Sequence, residues 1–336
     1  DEIRNGAGRA YQVYTPYRNA WWKRFAQEPR LPERAPRLPA PIPGFDADPV
    51  PDPGSLGLGA GDVEIPTGGE AAAARRLGGF LGRTVAGYAE DRDRPDLDGT
   101  SRLSPYLRLG VISVRQCIAR AREAAAAEPA LARGVEKWLD ELVWREFYAA
   151  ILAEHPRVLR ESFRRDTEGV AWNDDPAAFE AWCDGHTGVP IVDAGMRQLR
   201  ATGWMHNRVR MIVASFLTKD LLIDWREGER FFFERLVDGD PASNNGGWQW
   251  AASTGTDAQP YFRIFNPEAQ GRRFDPGGRY VRRWVPELRA VTNAHVHAPE
   301  QADRVFADYP PPVVDHAERR VLALERFEQA REAART

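Results

Sequence analysis

The sequence predicts an all-α fold with long ordered loops for residues 67–336. Three observations predict it. Apolar residues recur at spacings of three and four in segment after segment from Gly68 onward. No alternating, strand-like run follows Gly68, and no internal repeat is visible. The composition, 43% hydrophobic and 28% charged over 336 residues, is that of an ordinary globular chain.

Residues 1–66 read differently. The aromatic run YQVYTPYRNAWWKRF at 11–25 looks like the end of a folded unit, and Pro29 to Pro66 is rich in Pro and Gly, as in an extended linker. Two domains follow as the expectation: 1–66, the end of one unit plus its linker, and 67–336, a helical body.

Within the body, EAAAARRLGGFLGRTVAGYAEDRD has helical spacing, with Thr67 as a candidate N-cap and Glu70 completing a capping box. Pro105 suits a first helical turn. Further helices are predicted over 113–127, 132–154, 176–183, 189–202, 205–223 and 226–237. The one at 132–154 sets Trp138, Glu141, Trp144 or Arg145, and Tyr148 along a single stripe. The stretch 238–267 has no clean period and predicts neither helix nor strand. Pro276 to Pro312 reads as irregular, and 315–334 as a last amphipathic helix packed on the body.

Composition also excludes functions. No apolar run could span a bilayer and no signal peptide opens the chain, so a cytoplasmic protein without membrane association is expected. Cys117 and Cys183 cannot build a disulfide framework or a four-thiolate cluster. A net charge of −3 excludes a globally basic nucleic-acid binder but not a local basic face. Positive charge is almost all Arg, which can fork onto phosphates and stack on bases. Eleven tryptophans are enough for a chain of indoles that carries electrons, as well as for core packing.

Three motifs carry candidate chemistry. Thr100 to Ser104 (TSRLS) offers hydroxyls, an Arg and backbone N–H groups before a helix start, which suits an anion or an ordinary cap cluster. WMHNRVRM at 204–211 puts Asn207 and Met211 on one face, as a satisfied core amide or a ligand-facing stripe; His206 has no partner at metal-ligand spacing. Asp238 and Asp240 could hold a metal or an Arg. Arg210 is the preferred partner of Asp238, because hard metal ligands do not recur nearby. No metal site is expected.

TSRLSPYL, ELVWREFY, WMHNRVRM, the whole of 224–267 and YPPPVVDH occur together in order, and with them the chain resembles the C-terminal FAD-binding domain of the photolyase/cryptochrome family, from about Ala10 to about Arg331. Asn207, Met211 and Asn244 match the pattern of its class I cyclobutane pyrimidine dimer photolyases. The resemblance implies a carbon–carbon lyase: excited reduced FAD passes an electron to a flipped-out dimer in DNA, the ring splits and the electron returns. Its alternative within the family is a cryptochrome-like photoreceptor that photoreduces FAD without repair.

Residue by residue, the resemblance implies that Tyr88, Thr100, Ser101, Arg102, Leu103 and Ser104 hold the FAD phosphates and ribityl chain. Trp138, Arg145, Arg210, Asp238, Gly239, Asp240 and Asn244 line the flavin and adenine, Asn244 opposite the flavin N5. Glu141, Trp144, Asn207, Met211 and Trp250 surround the dimer, with Glu141 sharing a proton with a base edge. Arg92, Arg145, Arg263 and Gln270 meet the DNA strand. Trp172, Trp225 and Trp248 form an electron relay. The family also carries an antenna chromophore, a folate or a deazaflavin, whose domain is expected to be largely missing from this chain. A monomer that binds dimer-containing DNA is expected.

Overall fold

The fold is known from a computed structural model, which describes residues 2–33, 36, 37, 39, 40, 42–44, 48–59, 63–302 and 308–335. Among these residues there is no β-strand, only one isolated bridge between Arg4 and Ala10. The helices are α1 (Tyr14–Gln27), α2 (Glu70–Arg83), α3 (Tyr88–Asp91), α4 (Ser104–Arg108), α5 (Val114–Ala127), α6 (Ala132–Glu154) and α7 (Pro176–Asp184). They continue with α8 (Pro190–Thr202), α9 (Asn207–Ser215), α10 (Trp225–Arg235), α11 (Pro241–Ala252), α12 (Pro267–Phe274), α13 (Arg279–Trp284) and α14 (His316–Ala333).

Helix α6 is the shared wall of the molecule. Its first half packs Val135, Trp138, Leu139 and Leu142 against α2 and α5. Its second half packs Val143, Phe147 and Ile151 against Tyr14 and Tyr17 of α1. The aromatic run at 11–25 therefore lies on the helical body. A separate, larger core joins α7 to α11 and α13 around Trp182, Met196, Trp225 and Trp248.

Several local expectations change. Thr67 does not cap α2: Gly69 precedes it at φ 94° with no side-chain cap, and the Thr67 carbonyl accepts instead from the Tyr106 hydroxyl at 2.8 Å. A capping box forms at α5, where Ser113 Oγ accepts from the Gln116 N–H at 3.1 Å and Gln116 Oε1 from the Ser113 N–H at 2.9 Å.

The single helix expected over 205–223 is two pieces. Helix α9 passes into a π-helical turn at Phe216–Asp220. That turn sets the buried Lys219 Nζ 3.5 Å from the Phe327 ring centroid, and Asp220 against His316, which opens α14. Packing against α14 thus overrides the α-helical register, and such π turns often mark functional regions.

The stretch 238–267 is not irregular throughout, because its first half is α11. Asp240 caps it by accepting from the Ser243 N–H at 2.8 Å, Pro241 opens it, and Ser253 ends it at φ 65°. Its pattern showed no period because polar residues are buried on it. Asn245 and Gln249 both donate to the Val158 carbonyl, at 3.0 and 2.9 Å. The segment 276–312 also holds α13 and two short 3-10 turns; residues 303–307 and parts of the 29–66 linker lie outside the described residues.

His206, 2% exposed, caps α9 by accepting from the Arg208 N–H through Nδ1 at 3.2 Å. Burial pushes its imidazole down to about 4, with the Asp93 carboxylate opposing. A depressed folded value contributes stability that is complete above the unfolded pKa of about 6.5 and is lost as pH falls through 4, at most about 3 kcal/mol. Urea unfolding of wild type and His206→Asn between pH 7 and pH 4 should show the wild type losing stability faster; parallel curves would contradict this assignment.

Candidate active site

A cavity of about 470 Å³ opens between α6, α9, α10, α11 and the segment 100–108. Its size is that of a ligand pocket. Two close approaches make it possible. A Cβ on Gly246 would sit 2.1 Å from the Tyr148 ring, so α11 can approach α6 only as glycine; a Cβ on Gly228 would sit 2.2 Å from the Trp248 indole, so Trp248 can lie against α10.

One wall is Thr100, Ser101, Arg102, Leu103 and Ser104, with Tyr88 and Trp138 beside them. Arg76 holds this loop by donating to the Ser101 carbonyl at 2.8 Å and the Thr100 carbonyl at 3.3 Å. Ser101 Oγ accepts from the Trp138 indole N–H at 3.3 Å. Arg102 has φ 49°, the left-handed region, and its guanidinium stacks 4.8 Å over Trp204. A non-glycine residue held there is strained, which is commonest where a backbone shape is needed for a ligand.

The opposite wall starts with the expected ion pair. Arg210 Nη2 donates to both oxygens of Asp238, at 3.1 and 2.9 Å, and Arg210 Nε to the Met205 carbonyl at 2.8 Å. The Asp238 side chain is 3% exposed. Asp240 lines the cavity while capping α11. Gly239 is not among the lining residues; its carbonyl accepts from Arg108 Nε at 2.6 Å, and Arg108 lines the cavity.

Asn244 Nδ2 donates to the Glu229 carbonyl at 2.9 Å and to Glu229 Oε1 at 3.0 Å. This fixes the amide and keeps Oδ1 clear of those bonds. Burial raises the Glu229 carboxyl, with the Asn244 bond opposing.

Elsewhere on the lining, Glu141 is paired with Arg92. Burial still holds the Glu141 carboxyl above the usual range, with Arg92 opposing. Arg208 extends this cluster through Asp93 at 2.9 Å. Trp144, Arg145, Asn207, Met211, Trp248 and Trp250 complete the lining. Asn207 Nδ2 lies 3.8 Å from Met211 Sδ, one helical turn apart.

Besides Gly239, four expected site residues lie outside the cavity. Trp225 is 1% exposed in the core, its indole N–H without a hydrogen-bond partner, and Trp172 is half-buried, edge-on to Phe327 at 5.9 Å. Arg263 is exposed in the loop after α11, and Gln270 is half-buried on α12. The sequence reading missed Arg108, Trp204, Ser243 and Gly247 as lining residues, and set Tyr148 on the 132–154 stripe without assigning it to the site. Trp182, edge-on to Trp248 at 6.0 Å, also went unremarked.

The donor set fits FAD. It joins hydroxyls and backbone at 100–104, a fixed guanidinium–carboxylate pair, an oriented amide and flat aromatic walls, the mixture suited to a planar heteroaromatic group carrying phosphates. Among the described residues no group of three or more His, Cys, Asp or Glu could hold a metal ion.

Residues 138–329 match the family model described as the FAD binding domain of DNA photolyase. A deoxyribodipyrimidine photo-lyase of Salmonella typhimurium is 48% identical over 99% of this chain and 71% of its own length. The crystal structure of a bacterial class III photolyase from Agrobacterium tumefaciens superimposes with a TM-score of 0.86 at 38% identity, covering 98% of this chain and 71% of that one. An archaeal photolyase from Sulfolobus tokodaii, solved with two FAD molecules and interpreted as having a novel light-harvesting cofactor, gives 0.68 at 39% identity over 78% of this chain and 56% of that one. The fold, the cavity and these relatives together place the chain in the photolyase/cryptochrome family of FAD-binding proteins.

Proposed function

We propose that this cavity is where the chain carries out light-driven repair of cyclobutane pyrimidine dimers in DNA, as a deoxyribodipyrimidine photo-lyase using FAD. The observation that carries the reading is that one cavity is lined by residues of both expected sets, those for the cofactor and those for the lesion. The Arg210–Asp238 pair and Asn244 line it, and so do Glu141, Trp144, Asn207, Met211 and Trp250. When bound, reduced FAD supplies the light-driven one-electron chemistry.

The chain's own residues bind, orient and exclude water. The 100–104 loop and Tyr88 would cradle the phosphates and ribityl chain, and Arg210, Asp238, Asp240, Trp138 and Arg145 would orient the rings. Asn244, its Nδ2 held by Glu229, presents Oδ1 as an acceptor. A dimer stacks and pairs poorly, so extruding it costs less than extruding a normal base. Trp144 and Trp250 offer flat faces to it, at about 1–3 kcal/mol per stacked base. Glu141, its carboxyl raised by burial, can hold a proton at a base edge while Arg92 limits how far it is raised. Arg92, Arg145, Arg263 and Gln270 would meet the strand on either side.

The electron relay Trp172–Trp225–Trp248 is supported by where the three indoles sit. Trp172 is half-buried, Trp225 is in the core, and Trp248 lies on the cavity wall. A second, antenna chromophore, a folate or a deazaflavin, belongs to the same reading, as do a monomeric state, a cytoplasmic location, class I membership and a division of the chain near residue 66. No helix among the described residues is long and apolar enough to cross a membrane.

The test compares two lesions. Reduced, FAD-loaded protein is illuminated with oligonucleotides carrying a single thymine cyclobutane dimer or a single (6-4) photoproduct. Asn207 and Met211 predict restoration of the first and not the second. Restoration of the (6-4) product, or binding of the dimer with no restoration, would overturn the reading.

A further inference from the structure

Helix α1 packs behind a lining residue of the cavity, Trp144. Tyr14, its first residue, lies flat on Trp144, with ring centroids 3.6 Å apart and planes 8° from parallel. Tyr14 is 7% exposed and is not part of the lining, whereas Trp144 is half-buried and is. One face of Trp144 is therefore occupied by Tyr14 and the cavity is on another side.

The Tyr14 ring is anchored on both ends. Its hydroxyl donates to the Asp140 carbonyl at 2.7 Å, one turn before Trp144 on α6. Its backbone N–H donates to Asp257 Oδ2 at 3.1 Å, and the neighbouring Thr256 hydroxyl donates to the Gln12 carbonyl at 2.6 Å. Asp257 sits at φ 46°, a conformation that costs energy unless its surroundings hold it. Arg18, one turn along α1, donates to Asp140 at 2.7 Å. The start of α1 thus joins the helix that carries Trp144 to the loop that follows Trp250.

We propose that Tyr14 is a positioning residue for the lesion: it fixes the plane of Trp144 from behind, so that the free indole face is already oriented when a base arrives. This rests on the proposal that Trp144 faces the dimer. A side chain already locked by packing has no ordering cost to meet on binding. The effect belongs in lesion affinity and not in the photochemical step.

The experiment uses the full FAD-loaded chain and oligonucleotides with and without a thymine dimer. Tyr14→Leu keeps an apolar side chain but removes the parallel stack. It should bind the dimer about 2–10-fold more weakly, the range for losing one aromatic pair. Affinity for undamaged DNA, FAD uptake and repair per bound complex should stay as in wild type. Tyr14→Phe should restore lesion affinity to within about twofold. Wild-type lesion affinity in Tyr14→Leu, with Trp144→Ala weakened, would overturn the inference alone. Wild-type affinity in Trp144→Ala would overturn the lesion-facing role of Trp144 and the inference with it. Equal losses on damaged and undamaged DNA would show a merely structural role for Tyr14. Should Tyr14→Leu fail to take up FAD, Asp257→Ala cuts the backbone anchor of the same ring from a surface loop and is read by the same outcomes.

Discussion

Replacing Arg210 with leucine weakens FAD binding by about 10- to 100-fold and destabilises the fold at the same time. Arg210 uses one nitrogen on the Met205 carbonyl and another on both oxygens of Asp238, which leaves Nη1 outside these bonds at the cavity wall. Loss of a hydrogen bond from a charged donor to the cofactor corresponds to about 1.5–3 kcal/mol. The same change strands Asp238, whose side chain is 3% exposed, as an uncompensated buried carboxylate. That costs roughly 3 kcal/mol of stability. The double variant Arg210→Leu/Asp238→Asn separates the two effects, because it removes the stranded charge without restoring the donor. Calorimetric FAD titration should stay weak in the double variant while its urea midpoint recovers. Recovery of FAD affinity along with stability would mean that Arg210 acts only on the fold.

Replacing Trp248 with phenylalanine abolishes most photoreduction of the oxidised flavin and leaves repair by pre-reduced protein nearly intact. Trp248 lies on the cavity wall, 2% exposed, with Phe232 edge-on at 5.0 Å and Trp182 at 6.0 Å. Phenylalanine keeps an aromatic contact there but is much harder to oxidise than indole. Its smaller ring leaves a void beside Gly228, so a stability loss of about 1–3 kcal/mol accompanies the change. Flavin absorbance under illumination with an external reductant reads the first effect, and single-turnover repair reads the second. Photoreduction at the wild-type rate would refute the relay through Trp248.

What could be read ahead of the structure was what sequence neighbours decide. Helix α6 was expected over 132–154 and runs Ala132–Glu154, because its apolar stripe is continuous through both cores it enters. Helix α8 is equally legible, with Pro190 at its start and Gly203 in the left-handed conformation at its end. Helix α11 was not legible, because it buries an amide face of Asn245 and Gln249 whose partner, the Val158 carbonyl, lies some ninety residues away. The break of α9 into a π turn depends on Phe327 and His316 of α14, beyond the reach of any local pattern.

The site divides in the same way. The TSRLS loop, Arg210 with Asp238, and the Glu141–Trp144 stripe announced themselves by local clustering of residue types that suit a ligand. Assigning a part to each needed the family resemblance. Arg108, Ser243 and Gly247 carried no such signal, since only the tertiary fold brings α4 and α11 to one cavity. Gly239 neighbours two lining aspartates in sequence but does not line the cavity itself, and its carbonyl accepts from Arg108. Tyr14 was read as part of an earlier unit, and its partner on α6 is 130 residues distant.

The most direct measurement is the number of thymine dimers split per FAD-loaded, pre-reduced protein molecule, in light and in darkness, on an oligonucleotide with one defined dimer. Repeated turnover under illumination with none in darkness is the predicted result. Tight dimer binding with no splitting in the light would contradict repair, and a chain that takes up no FAD on reconstitution would contradict the site itself.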